Sequence, residues 1–416
     1  MRHRVSLRIG KTLLVDGPAT VQVASGIVNV MGAVFAEGSL VKVRGFRRTP
    51  FYAEQSEASL VVDGGNYRVI DGSTIPASWV EAAEKTAAEE KGVVIVVGET
   101  DSGKTSLATF LVNYYLNFHG EVGIVDSDPG QNDLGIPGTV SAGVVNKGLS
   151  DLSQVKPEVI EFVGFTAPES GVEELKEAVS TVLKRLRERG VEKIVLNTDG
   201  WADSKGLGFK AELIRAVKPS FVVSLLEGEK ALVFTKTVDP GARMIQVEKS
   251  CYVKRRSRMH RRTLRMLNYR RHFARPRLVK KLLSETVFLN HPFLKGEAAQ
   301  APGELGGLGF EALETRLYMG TLYVRIRGET EEPVTLNLSG KRVVILGEDW
   351  EKGLLVGLGR DSRIIGVGII ESLSGGEVTV KTPLTTGFDT VKLGEIKLDA
   401  SFNERNFYWK PLRHLD

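Results

Sequence analysis

The sequence predicts an α/β core on a mostly parallel sheet, flanked by N-terminal and C-terminal all-β domains. Three observations carry this. Between about 76 and 285, apolar β-branched runs alternate with segments of helical periodicity, the pattern of a parallel sheet covered on both faces. Residues 1 to about 75 and 286 to 416 hold short apolar runs punctuated by Gly or Asp-Gly, the rhythm of sandwiches and barrels. Lastly, the glycine-rich stretch GETDSGKT at 98–105 stands between a central strand and a helix, where such sheets bind ligands.

The first domain, 1–75, is read from VSLRIG, KTLLVDG, TVQVASG, IVNVMG, SLVKVRG, SLVVDG and YRVIDG, each ending in a turn residue. STIPASWVEAAEKTAAEEKG (73–92) then predicts a helix entered after Pro76 and ended by Gly92. In the central domain, 76–285, GVVIVVG (92–98) is a buried strand. SLATFLVNYYLNF (106–118) is a helix with Leu107, Phe110, Leu111, Tyr114 and Tyr115 at helical spacing. EVGIV and VIEFVGF (159–165) are further strands, and Val172, Leu175, Val179, Val182, Leu183 and Leu186 form the apolar face of a helix closed by Gly190. KIVLNTDGW (193–201), a helix reaching Lys218, SFVVSLLEG and ARMIQVE complete the alternation. The domain 286–416 returns to β-type runs, among them RLYMGTLYVRIRG, PVTLNLSG and KRVVILG.

Composition narrows the function classes. With 416 residues, 42% hydrophobic, the chain can bury a large core. No run approaches the roughly eighteen apolar residues of a membrane helix, and MRHRVSLRIGKTLLVDG lacks the uninterrupted apolar stretch of a signal peptide, so a cytoplasmic location without membrane contact is expected. A single cysteine, Cys251, excludes an internal disulfide framework and a cysteine-based zinc cluster.

GETDSGKT is a complete GxxxxGK[ST] phosphate-binding loop, so the core is a P-loop NTPase. Gly98, Glu99, Thr100, Asp101, Ser102, Gly103, Lys104, Thr105 and Ser106 are its expected nucleotide-binding residues. Lys104 reaches the β and γ oxygens, Thr105 offers a hydroxyl to Mg²⁺, and the helix N-terminus adds its positive end. The guanine signature is missing: NKGLSD at 146–151 puts Leu149 where an aspartate should stand, which favours ATP over GTP.

DSDPGQ at 126–131 leaves a strand expected to lie beside the phosphate-loop strand, so its carboxylates reach the metal or a nucleophile near the γ-phosphate. Asp126 is assigned to the metal and Asp128 to the general base; the reverse, and one residue doing both jobs, stay open. Gln131 can orient a hydroxyl or a phosphate through its amide. In NTDGW, Trp201 at a strand end can stack on a nucleobase.

Charge is unevenly placed. Net charge is +5, yet 249–281 holds fourteen Lys and Arg with no Asp or Glu, leaving the rest of the chain acidic. A basic segment interleaved with Met259, Leu264, Met266, Leu267, Tyr269 and Phe273 predicts a folded amphipathic element facing a polyanion, nucleic acid first. His260 and His272 are read as residues of its polar face.

GETDSGKT, DSDPGQ, FVGFTAPES, NTDGW followed by GLGF, and RRSRMHRRTLR occur in the order that resembles the polyribonucleotide 5′-hydroxyl kinase family, which includes RNA 3′-end-processing and pre-rRNA-processing kinases. An archaeal member is expected. The resemblance covers the whole chain, including a β domain on each side of the core. It implies ATP-dependent phosphorylation of the 5′-hydroxyl end of RNA or DNA, with ATP and Mg²⁺ as cofactors. Lys104 then matches the loop lysine, Thr105 the metal-binding hydroxyl, Asp128 and Gln131 the groups engaging the acceptor hydroxyl, and Trp201 the base-stacking tryptophan. Arg256, Arg261 and Arg265 match the lid arginines, Arg256 and Arg261 as catalytic residues and Arg265 as a substrate contact. Asp199 departs from a neutral surrounding, since a carboxylate beside RNA is repulsive unless it points away or faces a metal. The rival reading is an ATP-binding scaffold subunit of an RNA-processing complex with little or no phosphoryl transfer. Protein partners are not legible.

Overall fold

The computed structural model describes residues 2–410. The chain divides into two compact units. The first takes Met1–Gly135, Val140–Val159 and Val172–Leu264; the second takes Ile136–Thr139, Ile160–Gly171 and Arg265–Asp416.

The first unit opens with β1 (Arg2–Leu7), β2 (Lys11–Ser25), β3 (Ile27–Val30), β4 (Ala33–Ala36), β5 (Leu40–Val43), β6 (Arg48–Tyr52) and β7 (Ala58–Asp71). They form one antiparallel sheet in the order β1–β7–β2–β6–β3–β4, with β5 on β2. Alternate residues such as Leu13, Val15, Val21, Val23, Leu60 and Val62 pack into a common core with Val28, Val41 and Phe51. KTLLVDG and TVQVASG are not two strands split by an Asp-Gly turn: β2 runs through both, paired to β7 from Lys11↔Asp71 to Ser25↔Ser59, with a register shift between Asp16 and Ala19. The glycine serves a bulge inside a continuous ladder, which local turn chemistry does not distinguish from a reversal.

The α/β part follows with α1 (Ala77–Ala87), β8 (Gly92–Val97), α2 (Lys104–Tyr115), β9 (Val122–Asp126) and β10 (Thr139–Val145). After β11 (Val159–Phe162) come α3 (Val172–Glu188), β12 (Lys193–Asn197), α4 (Ser204–Val217), β13 (Phe221–Ser224), α5 (Gly228–Thr237), β14 (Met244–Gln246) and α6 (Arg258–His272). The sheet runs β10–β9–β12–β8–β13–β14. Its strands from β9 to β14 are mutually parallel, whereas β10, absent from the sequence reading, is antiparallel to β9.

One expectation is corrected here. β9, which delivers DSDPGQ, does not lie beside β8; β12 is inserted between them, with Asn197 opposite both Val96 and Asp126. All three strands are almost entirely buried, so hydrophobicity alone does not rank them in the sheet. The insertion puts NTDGW directly against the phosphate loop and brings DSDPGQ in from one strand further away. Beneath these ends, α2 packs Leu107, Phe110, Leu111 and Tyr115 into a core with Trp79, Val94, Ile124 and Val195.

The second unit is β-rich. One sheet holds β15 (Arg277–Leu282), β16 (Val287–Leu289), β22 (Leu354–Arg360), β23 (Arg363–Ser374), β24 (Glu377–Thr382), β25 (Thr390–Leu398) and β26 (Glu404–Asn406). The other holds β17 (Glu297–Ala298), β18 (Ala312–Tyr318), β19 (Thr321–Ile326), β20 (Val334–Leu338) and β21 (Lys341–Leu346). Ile136 and Phe162 pack with Tyr269, Phe273, Leu355 and Ile396, which explains why two short excursions from the middle of the chain belong to this unit. Among the described residues, no helix is long and apolar enough to cross a membrane.

Candidate active site

The phosphate loop occupies 98–106, and α2 begins at Lys104. Gly103 caps the helix at φ +98°, a left-handed conformation that a side chain would strain. Lys104 is buried and its Nζ donates to the Glu99 carbonyl at 2.7 Å. Burial depresses the ammonium to about 8, against the opposing pull of the nearby Asp128 and Asp199 carboxylates. Ser102 Oγ is buried in the loop without a hydrogen-bond partner, and Thr105 stands half-buried in the first turn of α2.

Both carboxylates of this loop are neutralised by cations from far along the chain. Glu99 pairs with Lys230 and, at 2.9 Å, with Lys249; these bonds hold its carboxyl below the ordinary value. Asp101 accepts from the Arg256 backbone N–H (2.9 Å), Arg256 Nε (3.2 Å) and Arg261 Nη1 (3.0 Å). A loop meant for a triphosphate thus carries two acids without presenting uncompensated negative charge.

Asp126 ends β9 fully buried. Its Oδ2 accepts the Asp133 N–H at 2.7 Å, and its Oδ1 accepts Asn197 Nδ2 at 3.1 Å and the Asp128 N–H at 3.3 Å. Burial, then the charges of Asp133 and Asp128, push this carboxyl up. Asp128 closes an Asx turn, its Oδ1 accepting the Gly130 and Gln131 N–H groups at 2.9 Å each. Its Oδ2 takes no part in that turn. Burial and Asp199 raise the Asp128 carboxyl, while Lys104 and the two N–H groups hold it down, so Asp128 and Lys104 act on one another electrostatically. Gln131 Nε2 donates to the Gly130 carbonyl (2.8 Å) and the Arg261 carbonyl (3.4 Å), linking this loop to α6.

Beyond β12, Asp199 is buried and ion-paired with Lys210 of α4, and its Oδ1 accepts the Trp201 N–H at 2.8 Å. Trp201 is partly exposed and stacks on Phe209 with ring centroids 6.2 Å apart. Thr100 Oγ1 donates to the Gly200 carbonyl at 3.3 Å, so a side chain of the phosphate loop holds the backbone of the TDGW turn.

The structure therefore brings Lys104, Asp128, Asp101, Arg256, Arg261 and Gln131 together. Arg265 falls in the second unit, where its guanidinium pairs with Glu404. His260, read as a polar-face residue, stacks on Phe46 at 4.5 Å. Sequence reasoning flagged Asp199 but missed its partner Lys210, and also missed Arg44 and Arg47, which clamp Asp133 at 2.9 and 2.6 Å. Burial by itself would raise the Asp133 carboxyl, but Arg47 and Arg44 hold it well below the carboxylate range. RGFRR between two strands was the available signal; nothing local paired it with an acid some ninety positions later.

The family model for the P-loop of the mRNA cleavage and polyadenylation factor CLP1 matches residues 98–275. A polyribonucleotide 5′-hydroxyl-kinase of Thermococcus kodakarensis is 27% identical over 339 residues, covering 79% of this chain and 95% of that protein. One from Pyrococcus furiosus is 26% identical, covering 70% and 83%. A solved Clp1p–Pcf11p complex shares the fold, with a TM-score of 0.69 and 16% identity over 95% of this chain and 98% of that one.

Proposed function

We propose that this chain, which belongs to the family of the archaeal polyribonucleotide 5′-hydroxyl-kinases and Clp1 P-loop proteins, transfers the γ-phosphoryl group of ATP to the 5′-hydroxyl of RNA. The observation that carries the reading is the nearness of the Asp128 carboxylate to the Lys104 ammonium, whose charges act on one another. A carboxylate whose Oδ2 is not used by its own turn lies within the field of the lysine that binds the transferred phosphate.

In this mechanism Lys104 binds the β and γ oxygens once the triphosphate displaces its bond to the Glu99 carbonyl, and the loop N–H groups cradle the phosphates. Asp128 accepts the proton of the attacking hydroxyl. Arg256 and Arg261 stabilise the charge that spreads over the transferring group. Trp201, partly exposed and braced by Phe209, stacks on the terminal base, a contact worth about 1 to 3 kcal/mol. The basic segment holds the following phosphates.

Thr105 and Asp126 would hold the divalent cation, Mg²⁺. A hydroxyl and a carboxylate are the hard oxygen donors that ion takes, and a bound cation would offset the burial and like charge that push the Asp126 carboxyl up. When bound it supplies charge neutralisation at the β and γ oxygens.

The test is transfer of labelled phosphate from ATP to a 5′-hydroxyl oligoribonucleotide by wild type, Lys104→Ala and Asp128→Asn. Label in the wild type alone supports the kinase. Nucleotide binding without label in any sample would replace it with the scaffold reading.

A further inference from the structure

Asp101 sits at the fourth position of the phosphate loop at φ +56°, a left-handed conformation that aspartate tolerates better than most residues. Its side chain gathers the start of the basic segment. Oδ2 accepts both the Arg256 backbone N–H and Arg261 Nη1, and Oδ1 accepts Arg256 Nε. All three side chains are largely shielded from water, at 12% exposure for Asp101, 15% for Arg256 and 23% for Arg261. Charge-assisted bonds in such surroundings fix geometry as well as energy.

Two further facts make the convergence deliberate. Arg256 lies just ahead of α6 and Arg261 within its first turn, five positions apart, so no helical periodicity brings them together. Arg256 is also crowded by the like charge of Arg47, and its Nη1 is buried without a partner. The Arg256 guanidinium is thus held at an electrostatic cost and has donor capacity to spare.

We propose that Asp101 is a positioning residue for the transfer reaction: its carboxylate docks the start of α6 on the phosphate loop and presents Arg256 and Arg261 to the transferring phosphoryl group. The inference rests on the kinase reading for its purpose, but the docking itself can be measured without turnover. Asp101 touches the arginines and acts through them. The guanidinium groups keep donors beyond those Asp101 uses, Arg256 Nη1 among them, so a guanidinium can hold the carboxylate and a phosphoryl oxygen at once.

The experiment compares wild type, Asp101→Ala and Asp101→Asn, the last keeping the size of the side chain. In nucleotide-free protein, amide hydrogen exchange across 254–262, the Arg256 N–H above all, is expected to be about tenfold faster or more in both variants. Binding of a non-hydrolysable ATP analogue is measured beside it, because Asp101 also belongs to the phosphate loop. In transfer assays kcat should fall about ten- to a hundredfold, by more than any change in affinity for the analogue. The same substitution added to Arg256→Ala, Arg261→Ala should cost almost nothing more. Unchanged exchange at Arg256–Arg261, or an equal loss of kcat with and without the arginines, overturns the proposal. Absence of transfer in the wild type, with exchange still controlled by Asp101, removes the kinase reading and leaves the docking role intact.

Discussion

Lys210 of α4 reaches Asp199 at the end of β12, and the two form an ion pair with side chains 1% and 3% exposed. The pair lies near the phosphate loop, because the Asp199 charge acts on both Asp128 and Lys104. It also resolves the sequence-level objection to an acid beside bound RNA: the carboxylate faces an interior lysine. Removing one partner of a buried pair leaves an uncompensated charge. Lys210→Met is therefore expected to lower stability by about 3 to 5 kcal/mol in denaturant unfolding, with Asp199→Asn in the same chain restoring most of it. Any activity that survives in Lys210→Met should have its acid limb shifted to higher pH, since an unneutralised Asp199 raises the Asp128 carboxyl further. Loss of equal size in the single and double variants would argue against the pair.

Nucleotide affinity should depend on pH through Lys104. Its ammonium is depressed to about 8 by burial in the nucleotide-free protein, and a triphosphate brings negative charge that pushes it back up. Below pH 8 the lysine is already charged and binding takes up no proton there. As pH rises through that value the free protein loses the charge that the complex still holds, so affinity falls and binding takes up a proton. Calorimetry of a non-hydrolysable ATP analogue at about pH 9, in buffers of different ionisation enthalpy, should show this uptake in wild type and not in Lys104→Arg. Equal proton uptake by the two proteins would count against the assignment.

Gly200 is required by contact. A Cβ there would stand 2.4 Å from Thr100 Oγ1 and 2.8 Å from Thr100 N and Cα, which are backbone atoms of the phosphate loop. Gly200→Ala should displace that loop, weakening nucleotide binding about tenfold or more while costing about 1 to 3 kcal/mol of stability. Gly208→Ala, whose Cβ meets nothing within 4 Å, is the control and should leave binding unchanged. An unaffected affinity in Gly200→Ala would show the loop to be adaptable.

The parts of this site that a reader of sequence can find are those whose chemistry is contiguous. GETDSGKT declares Lys104 and Thr105 because the loop needs its glycines and lysine in fixed order, and α2 follows at once. The alternation of buried strands and helices declares the sheet, yet it left out β10 and could not order β9, β12 and β8, whose burial patterns are nearly identical. What stayed hidden was pairing between elements. Asp101 with Arg256, Asp199 with Lys210 and Asp133 with Arg44 join positions in different elements, and the energy that couples them leaves no periodic trace along the chain. The fourteen cations of 249–281 were visible as a block; which of them were already committed to acids was not.

That commitment sets the salt dependence of nucleic-acid binding. Lys249 is paired with Glu99 and Glu227, Lys254 with Asp16, Arg256 and Arg261 with Asp101, and Arg265 with Glu404. Each contact between a cation and a single-strand phosphate contributes about 0.7 to the slope of log affinity against log salt, so fourteen contacts would give roughly ten. With five of the cations held by carboxylates, the slope for an oligoribonucleotide is expected to be no steeper than about six. Weakening the hold on Lys254 by Asp16→Asn should steepen it by about 0.7. Titrations across a range of potassium chloride concentrations measure both quantities. A wild-type slope near ten would mean that the ion pairs open when nucleic acid binds, and a slope near zero would remove the basic segment from the interface.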